Sequence, residues 1–414
     1  MTPDPGAGRL PKLKGIDYKR AAIEYPGKLD PERLHHLRTK PFYNLAHKLP
    51  KFRGTRGMDA ETHREFCDFA NIAVALELPP GARILDVACG SGWLSEYFAR
   101  LGYDATGIDI SPDLIRISED RVRGLPYGVD HETPLRCRFL VHDVERAPLA
   151  EKFDALVCYD AMHHFADEEA VARHLAAMLG VGGLLFILEG TKPAQDSAGE
   201  AELIDVMERF ETLESPFDAA YLRQILDANG FAVVGDYVSV NALIDRDALD
   251  ADGAIRPQLP AINYLLCKKV SVDRPASSLS DSRAPATLRA TIELEEPWNQ
   301  DINPRAPFVL RLKIANTGDT LWLGGNYMRR GAVMLGIKIL DAGGNVVDEF
   351  HGEPALPRAM TPGEETSIII EHAAPPKPGS YSMKIDLVDQ HISWFEERGS
   401  APLVLPLEVS ASRG

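Results

Sequence analysis

Along residues 58–270 the apolar positions alternate between two periods. "MDAETHREFCDFANIAVALEL" repeats them at helical spacing and stops at Pro79-Pro80. "RILDVA" then reads as a buried strand, and "GWLSEYFARLG" as an amphipathic helix closed by a glycine. "DATGIDI" predicts a second strand and "SPDLIRISEDRVRGL" a second helix, with Ser111 placed to cap it. "RCRFLVHDV", "FDALVCYDA" and "GGLLFILEG" supply three more strands, and "DEEAVARHLAAML" a helix before the last of them. "SPFDAAYLRQILDANGF" is a further helix, and "FAVVGDYVSV" and "INYLLCKKV" complete the sheet. Strands that alternate with helices imply parallel pairing in a layered α/β domain.

The pattern changes after the polar stretch "SVDRPASSLSDSRAPAT". "LRATIEL", "FVLRLKIAN", "AVMLGIKIL", "TSIIIEH", "SYSMKIDLV" and "APLVLPLEV" are short strands parted by Gly, Pro and Asn turns, and "DAGGN" is a hairpin signal. Residues 287–410 therefore predict an all-β, immunoglobulin-like sandwich. The expected organisation is a basic extension or lid over 1–57, the α/β domain over 58–270, a linker over 271–286 and the sandwich over 287–410. Residues 1–57 are rich in Pro, Gly and Lys, with one short helical candidate near "DPERLHHLRTK".

Composition narrows the class. The chain has 414 residues, 45% hydrophobic and 26% charged, which suits two globular domains. Five cysteines without CxxC spacing predict reduced thiols, a cytoplasmic setting and no structural metal. No apolar run is long enough for a membrane span, and the N-terminus lacks a secretory pattern. A net charge of −16 disfavours nucleic acid. That charge is uneven: residues 1–58 carry 13 Lys/Arg against 5 Asp/Glu. Such a leader either lies on the acidic body or covers an anionic substrate.

"LDVACGSGWLS" places a glycine bend between a strand and a helix, the start of many nucleotide sites. A dinucleotide loop would read GxGxxG, but Ser95 stands at its third glycine, and no Gly-Lys follows to cradle phosphates. Carboxylates end the strands instead. Asp86 ends the first and faces an ammonium group in this reading, Asp109 the second as a ribose acceptor, and Asp143 the third as an adenine acceptor. Three carboxylates without a loop lysine suit a cationic, phosphate-free nucleoside.

With "ILDVACGSG", "GIDIS", "HDVE", "FDALVCYDAMHHF" and "LGVGGLLFILEG", residues 58–270 resemble the class I S-adenosylmethionine-dependent methyltransferases. The resemblance implies a Rossmann-like seven-stranded sheet with an antiparallel last strand, and S-adenosyl-L-methionine as cofactor. It puts the methionine part against Ala88–Gly92, with Gly90 and Gly92 in the loop. The ribose falls on Asp109, and the adenine lies near Ile110, Asp143 and Val144. Tyr159 and Asp160 border the cofactor in this reading.

An alcohol acceptor must lose its proton, and a histidine of ordinary pKa suits that task. "YDAMHHF" sets His163 and His164 beyond the fourth strand, one as a base and the other structural, and Glu189 would orient the base or take the proton itself. Glu61 and His63 fall on the helix expected to cover the cofactor, and Trp93 in the loop either packs that helix or walls the donor.

Trp298, Trp322 and Trp394 lie in the β-domain, where aromatic faces either stack on sugars or fill the core. "LKIANTGDTLWL" and "YSMKIDLVDQHISWFEERGS" resemble the β-sandwich domains of bacterial polysaccharide-export ATPases. Together these features predict O-methylation of a saccharide or glycan precursor, anionic if the basic leader closes on it. Two rival readings remain. One is a methyltransferase for a small metabolite or lipid, its β-domain serving to form a homodimer. The other is a glycan-binding or assembly protein with an inactive methyltransferase half.

Overall fold

The computed structural model describes residues 8–41, 60–126, 133–239, 262–324, 330–356 and 358–410. The chain divides into two compact units, Met1–Ala276 and Ser277–Gly414.

The first unit begins with helices α1 (Tyr18–Lys28), α2 (Pro31–Thr39) and α3 (Ala60–Leu76). The α/β alternation follows: β1 (Arg83–Val87), α4 (Trp93–Arg100), β2 (Asp104–Asp109), α5 (Pro112–Val122), β3 (Cys137–Val141) and β4 (Phe153–Tyr159). It continues through α6 (Glu168–Ala177), β5 (Leu179–Gly190), α7 (Ala198–Phe210), α8 (Ala219–Ala228), β6 (Phe231–Tyr237) and β7 (Ile262–Lys269). In α3 the buried positions Thr62, Glu65, Asp68, Ile72 and Leu76 fall three or four apart, so one stripe packs inward. The helix α1 was not among the sequence expectations, and neither was α7. Ser111 occupies the N-cap of α5 but makes no capping bond; its hydroxyl donates instead to the Ile23 carbonyl of α1 at 3.0 Å.

The seven strands run β3-β2-β1-β4-β5-β7-β6. Pairs from β3 to β5 are parallel, and β7 is antiparallel to both its neighbours. The order reverses between β1 and β4, so the chain leaves these two strands in opposite directions and opens a crevice at their carboxyl ends. The interiors of β1, β4 and β5 are mainly apolar (Leu85, Val87, Leu156, Cys158, Leu185 and Ile187 among them), as suits strands covered on both faces, with Asp86 and Glu189 the buried carboxylates toward their ends.

The second unit contains β8 (Ala290–Leu294), β9 (Asp301–Ile302), β10 (Pro307–Asn316), β11 (Val333–Asp341), β12 (Val346–Ala355), β13 (Glu365–Ala373), β14 (Gly379–Asp389), β15 (Ser393–Trp394) and β16 (Leu403–Val409). They form a three-stranded sheet, β13-β10-β8, and a six-stranded sheet built on β12-β11-β14-β16-β9 with β15 paired to β14. Phe308, Leu310, Leu312 and Ile314 alternate inward along β10 and share a core with Ile337, Ile339, Ile385 and Leu407 of the other sheet. The β9–β16 pair is parallel, a departure from a purely antiparallel sandwich. Asp341 closes the "DAGGN" hairpin by accepting from the backbone N–H of Gly343 and of Asn345, both at 2.9 Å.

The three tryptophans of this unit are packed. Trp322 is fully buried in the core. Trp298 meets Phe308 edge-on at 5.3 Å and donates its N–H to the Pro406 carbonyl at 2.6 Å. Trp394 lies against Gly336, where a Cβ would fall 2.5 Å from its ring, and the Lys338 ammonium sits 3.7 Å from its centroid. These contacts give the rings packing roles and lend no support to stacking on sugars.

Candidate active site

The turn between β1 and α4 needs left-handed backbone at three points: Ala88 (φ 56°), Gly90 (φ 55°) and Gly92 (φ 74°). The two glycines serve different ends. A Cβ on Gly90 would meet nothing within 4 Å, so that peptide presents an open face. One on Gly92 would strike Ser118 at 2.6 Å and Phe139 at 2.7 Å, so Gly92 seats α4 against the sheet.

A cavity of about 410 Å³ opens over this turn. Ala88, Gly90, Asp109, Ile110, Asp143 and Val144 line the wall formed by the strand ends. Asp109 accepts from the Gly90 N–H at 3.0 Å and the Ser111 N–H at 2.9 Å. Burial pushes its carboxyl up to about 6 against the pull of these backbone donors. Asp160, also left-handed at φ 51°, reaches the same cavity from the end of β4. Non-glycine residues in this conformation are uncommon and gather at functional sites.

Three residues expected at the cofactor lie off the cavity wall. Asp86 turns back into the fold and accepts from the Ser95 N–H at 3.1 Å and hydroxyl at 2.7 Å; burial raises its pKa to about 7. It therefore fixes the start of α4. Gly92 packs as described. Tyr159 donates its hydroxyl to Asp68 of α3 at 2.8 Å, and Asp68 also accepts from Tyr264 at 3.0 Å, which ties α3 to the sheet. Trp93 stands edge-on to Tyr97 and Tyr159, at 5.7 and 5.4 Å, a packing role for α4.

The histidine pair sits in a short 3-10 turn, Met162–His164. His163 is buried between two carboxylates: Nδ1 is 2.5 Å from Glu189 and Nε2 is 3.2 Å from Glu214. Burial alone would lower its pKa, but the two carboxylates outweigh this and hold it well above the ordinary value. With a carboxylate at each nitrogen, His163 has no ring nitrogen left open to an acceptor. His164 is the member that lines the cavity. Its Nδ1 faces the Leu213 carbonyl at 2.6 Å, which sets the proton there and leaves the Nε2 lone pair available. Desolvation among the surrounding loops and the charge of His163 lower its pKa against the Glu214 and Glu189 carboxylates, although the ring keeps an exposed edge. His163, His164 and Glu214, like Asp160, His163 and Glu189, bring ligand-type atoms within 4.8 Å of one another.

Glu214 had no sequence signal. It follows α7 in an irregular segment, and only the fold brings it to His163. The same cavity wall carries the apolar residues Tyr25, Leu37, Phe165, Val206, Phe210 and Leu213.

The described part of the basic leader covers this cavity, to which α1 contributes Tyr18, Lys19, Ala22 and Tyr25. Among its described cations, Lys19 and Lys40 pair with the acidic body near this cavity and α3. Lys19 lies 2.8 Å from both Asp143 and Glu145, and Lys40 lies 2.6 Å from Glu65 and 3.6 Å from Glu61. A hydrogen bond from His36, with Lys40 adding its charge, lowers the Glu61 carboxyl to about 2. His63 on α3 is exposed.

Residues 58–235 match the family model described as a methyltransferase domain. With the strand order above, the first unit contains a class I domain of the S-adenosylmethionine-dependent methyltransferase fold. Over 111 residues the chain is 40% identical to the ubiquinone biosynthesis O-methyltransferase of Xanthomonas axonopodis pv. citri, covering 26% of this chain and 43% of that protein. The protein of the same name from Xanthomonas campestris pv. campestris is 38% identical over 122 residues, 29% of this chain and 46% of its own. The chain thus spans less than half the length of these relatives. Among solved structures, the magnesium protoporphyrin IX methyltransferase of Synechocystis PCC 6803 with bound SAM is similar at 17% identity and a TM-score of 0.41. That match covers 62% of this chain and all of that one. No helix among the described residues is long and apolar enough to cross a membrane.

Proposed function

We propose that this protein is an S-adenosylmethionine-dependent O-methyltransferase in which His164 takes the proton of a hydroxyl acceptor. One observation carries the reading: a single cavity holds the open Gly90 peptide and Asp109 together with a histidine whose free nitrogen is Nε2. The acidic, lysine-free turn fits a cationic nucleoside without phosphate. Asp109 would hold the ribose hydroxyls and Asp143 the adenine amino group, once Lys19 yields that carboxylate. The cofactor supplies an electrophilic methyl group on sulfur. The protein orients the acceptor, excludes water beneath α1, and removes the proton at Nε2 of His164. Desolvation and the His163 charge lower the His164 pKa against the pull of Glu214 and Glu189, which favours a neutral ring ready to accept.

The relatives' name supports oxygen as the methylated atom. The largely apolar wall of the cavity supports a small-metabolite or lipid acceptor over a saccharide, and the pairing of Lys19 and Lys40 with body carboxylates weakens the case for an anionic one.

Calorimetry with S-adenosylhomocysteine tests the reading. Binding that Asp109→Ala abolishes supports it; a protein that binds neither this compound nor S-adenosylmethionine overturns it.

A further inference from the structure

We propose that Arg9, in the leader and outside the matched methyltransferase region, is a positioning residue for His164. The proposal rests on the methyltransferase reading only for what His164 does, not for how it is held.

Two loops set the histidine. The first, residues 163–166, carries it. The second, residues 213–216, supplies the Leu213 carbonyl that takes its Nδ1–H and the Glu214 carboxylate that pairs with His163. The Arg9 guanidinium, 4% exposed, joins the two. It donates to the His163 carbonyl at 3.2 Å and the Phe165 carbonyl at 3.1 Å in the first loop. From Nε it donates to the Ser215 hydroxyl at 2.8 Å in the second. It also pairs with the buried Glu168 carboxylate, and its plane lies 4.8 Å from the Phe217 ring centroid.

The flanking backbone follows the same course. Leu10 N–H donates to the Pro216 carbonyl at 3.1 Å, and Asp218 N–H to the Gly8 carbonyl at 2.8 Å. The Ser215 hydroxyl donates to the Leu10 carbonyl, and the Lys12 ammonium to that of Ala166. At Gly8 the backbone comes so near the Tyr221 ring that a Cβ would lie 2.2 Å from it.

The choice of arginine follows from this geometry. Four acceptors in different directions need a planar fork of N–H donors, which a lysine ammonium cannot match. A shift between the loops would free the His164 Nδ1–H from Leu213 and open the His163–Glu214 pair. The first contact fixes the His164 tautomer; the second keeps the charge on His163, which together with desolvation between the loops lowers the His164 pKa. The charged groups around it are His163, Glu214 and, beyond His163, Glu189.

The test uses the full chain and needs no acceptor. Diethyl pyrocarbonate reacts with a free neutral imidazole nitrogen, and mass spectrometry across pH locates the label. In the native protein His164 labels with a midpoint below the ordinary histidine value, and His163, with both nitrogens engaged, is spared. Arg9→Ala is expected to raise the His164 midpoint, slow its labelling near pH 6 by about threefold, and expose His163 to label. Added guanidinium ion should restore the native pattern, while affinity for S-adenosylhomocysteine stays within about threefold. An unchanged pattern, or a changed one that guanidinium does not restore, overturns the proposal, because a merely stabilising residue would alter melting alone. If Arg9→Ala does not fold, Arg9→Lys keeps the charge and loses the fork; a native pattern there is equally fatal. Should the native protein bind no S-adenosylhomocysteine, the methyltransferase reading fails, and the labelling still decides the clamp.

Discussion

The rings of His163 and His164 lie with centroids 4.0 Å apart, yet their surroundings drive their proton affinities in opposite directions. Carboxylates at both nitrogens charge the first ring. Desolvation, helped by that charge, lowers the proton affinity of the second, while the carbonyl at Nδ1 fixes its tautomer and leaves Nε2 open. Adjacent titratable groups whose pKa values are forced apart are a common arrangement in acid–base sites.

This pair predicts a division of labour. His164→Ala should leave S-adenosylhomocysteine affinity intact and reduce turnover of S-adenosylmethionine with a hydroxyl acceptor about a hundredfold. The formation of S-adenosylhomocysteine measures it. A loss below threefold removes His164 from the chemistry.

His163→Ala should act on stability, because it leaves Glu189 buried without its cation, at a cost of about 3–5 kcal/mol. Since the folded-state pKa of His163 is raised, its stabilisation is complete below the unfolded value. It fades as pH rises through the folded one. Thermal melts of the native protein should show that alkaline loss, and those of His163→Ala should not.

Asp109, held near pKa 6, should make cofactor affinity depend on pH. An ionised carboxylate accepts both ribose hydroxyls and attracts the sulfonium, whereas a protonated one does neither as well. S-adenosylmethionine affinity should fall by up to about tenfold per unit as pH drops below that value. Asp109→Asn should bind weakly at every pH, so calorimetry that finds a pH-independent native affinity contradicts this role.

Lys19 competes with the expected adenine for Asp143. Lys19→Met should tighten S-adenosylhomocysteine binding and weaken its response to salt, which screens exposed ion pairs. Weaker binding in the variant would instead place Lys19 in the bound state.

In the β-domain, Asp389 is fully buried, and neither carboxylate oxygen has a hydrogen-bond partner. Burial lifts its pKa to about 7 against the opposing charges of Arg398 and Arg330, with Asp281 adding to the rise. The folded state therefore holds this proton more tightly than the unfolded chain does, and its stabilisation is lost as pH climbs through about 7. Asp389→Asn should raise the melting temperature by roughly 4 °C or more at mildly alkaline pH and change little in acid. Calorimetric scans at the two extremes decide it.

The α/β alternation and the strand-end acids were legible because strands buried on both faces leave apolar runs that stop at a charge. Direction was not legible. Asp86 and Asp109 look alike in sequence, but one bonds the helix behind it and the other lines the cavity. The helix α7 announced itself through Ser197 and Glu200 at capping-box spacing, with Leu203 and Met207 one turn apart, a signal that the strand pattern overshadowed. The helix α1 carries a proline and few apolar residues, so its pattern is weak. Nothing in the charge count of the leader reveals that one of its arginines is buried beside a histidine loop, because a contact across more than 150 residues has no local signature.

Trp93 is the sole indole before residue 298 and belongs to the turn that bears Gly90. A ligand that shifts the start of α4 when it settles on that turn would change this indole's emission, which gives the protein an optical titrant of its own. Replacing the three indoles beyond it with phenylalanine would leave an emission that belongs to this turn alone.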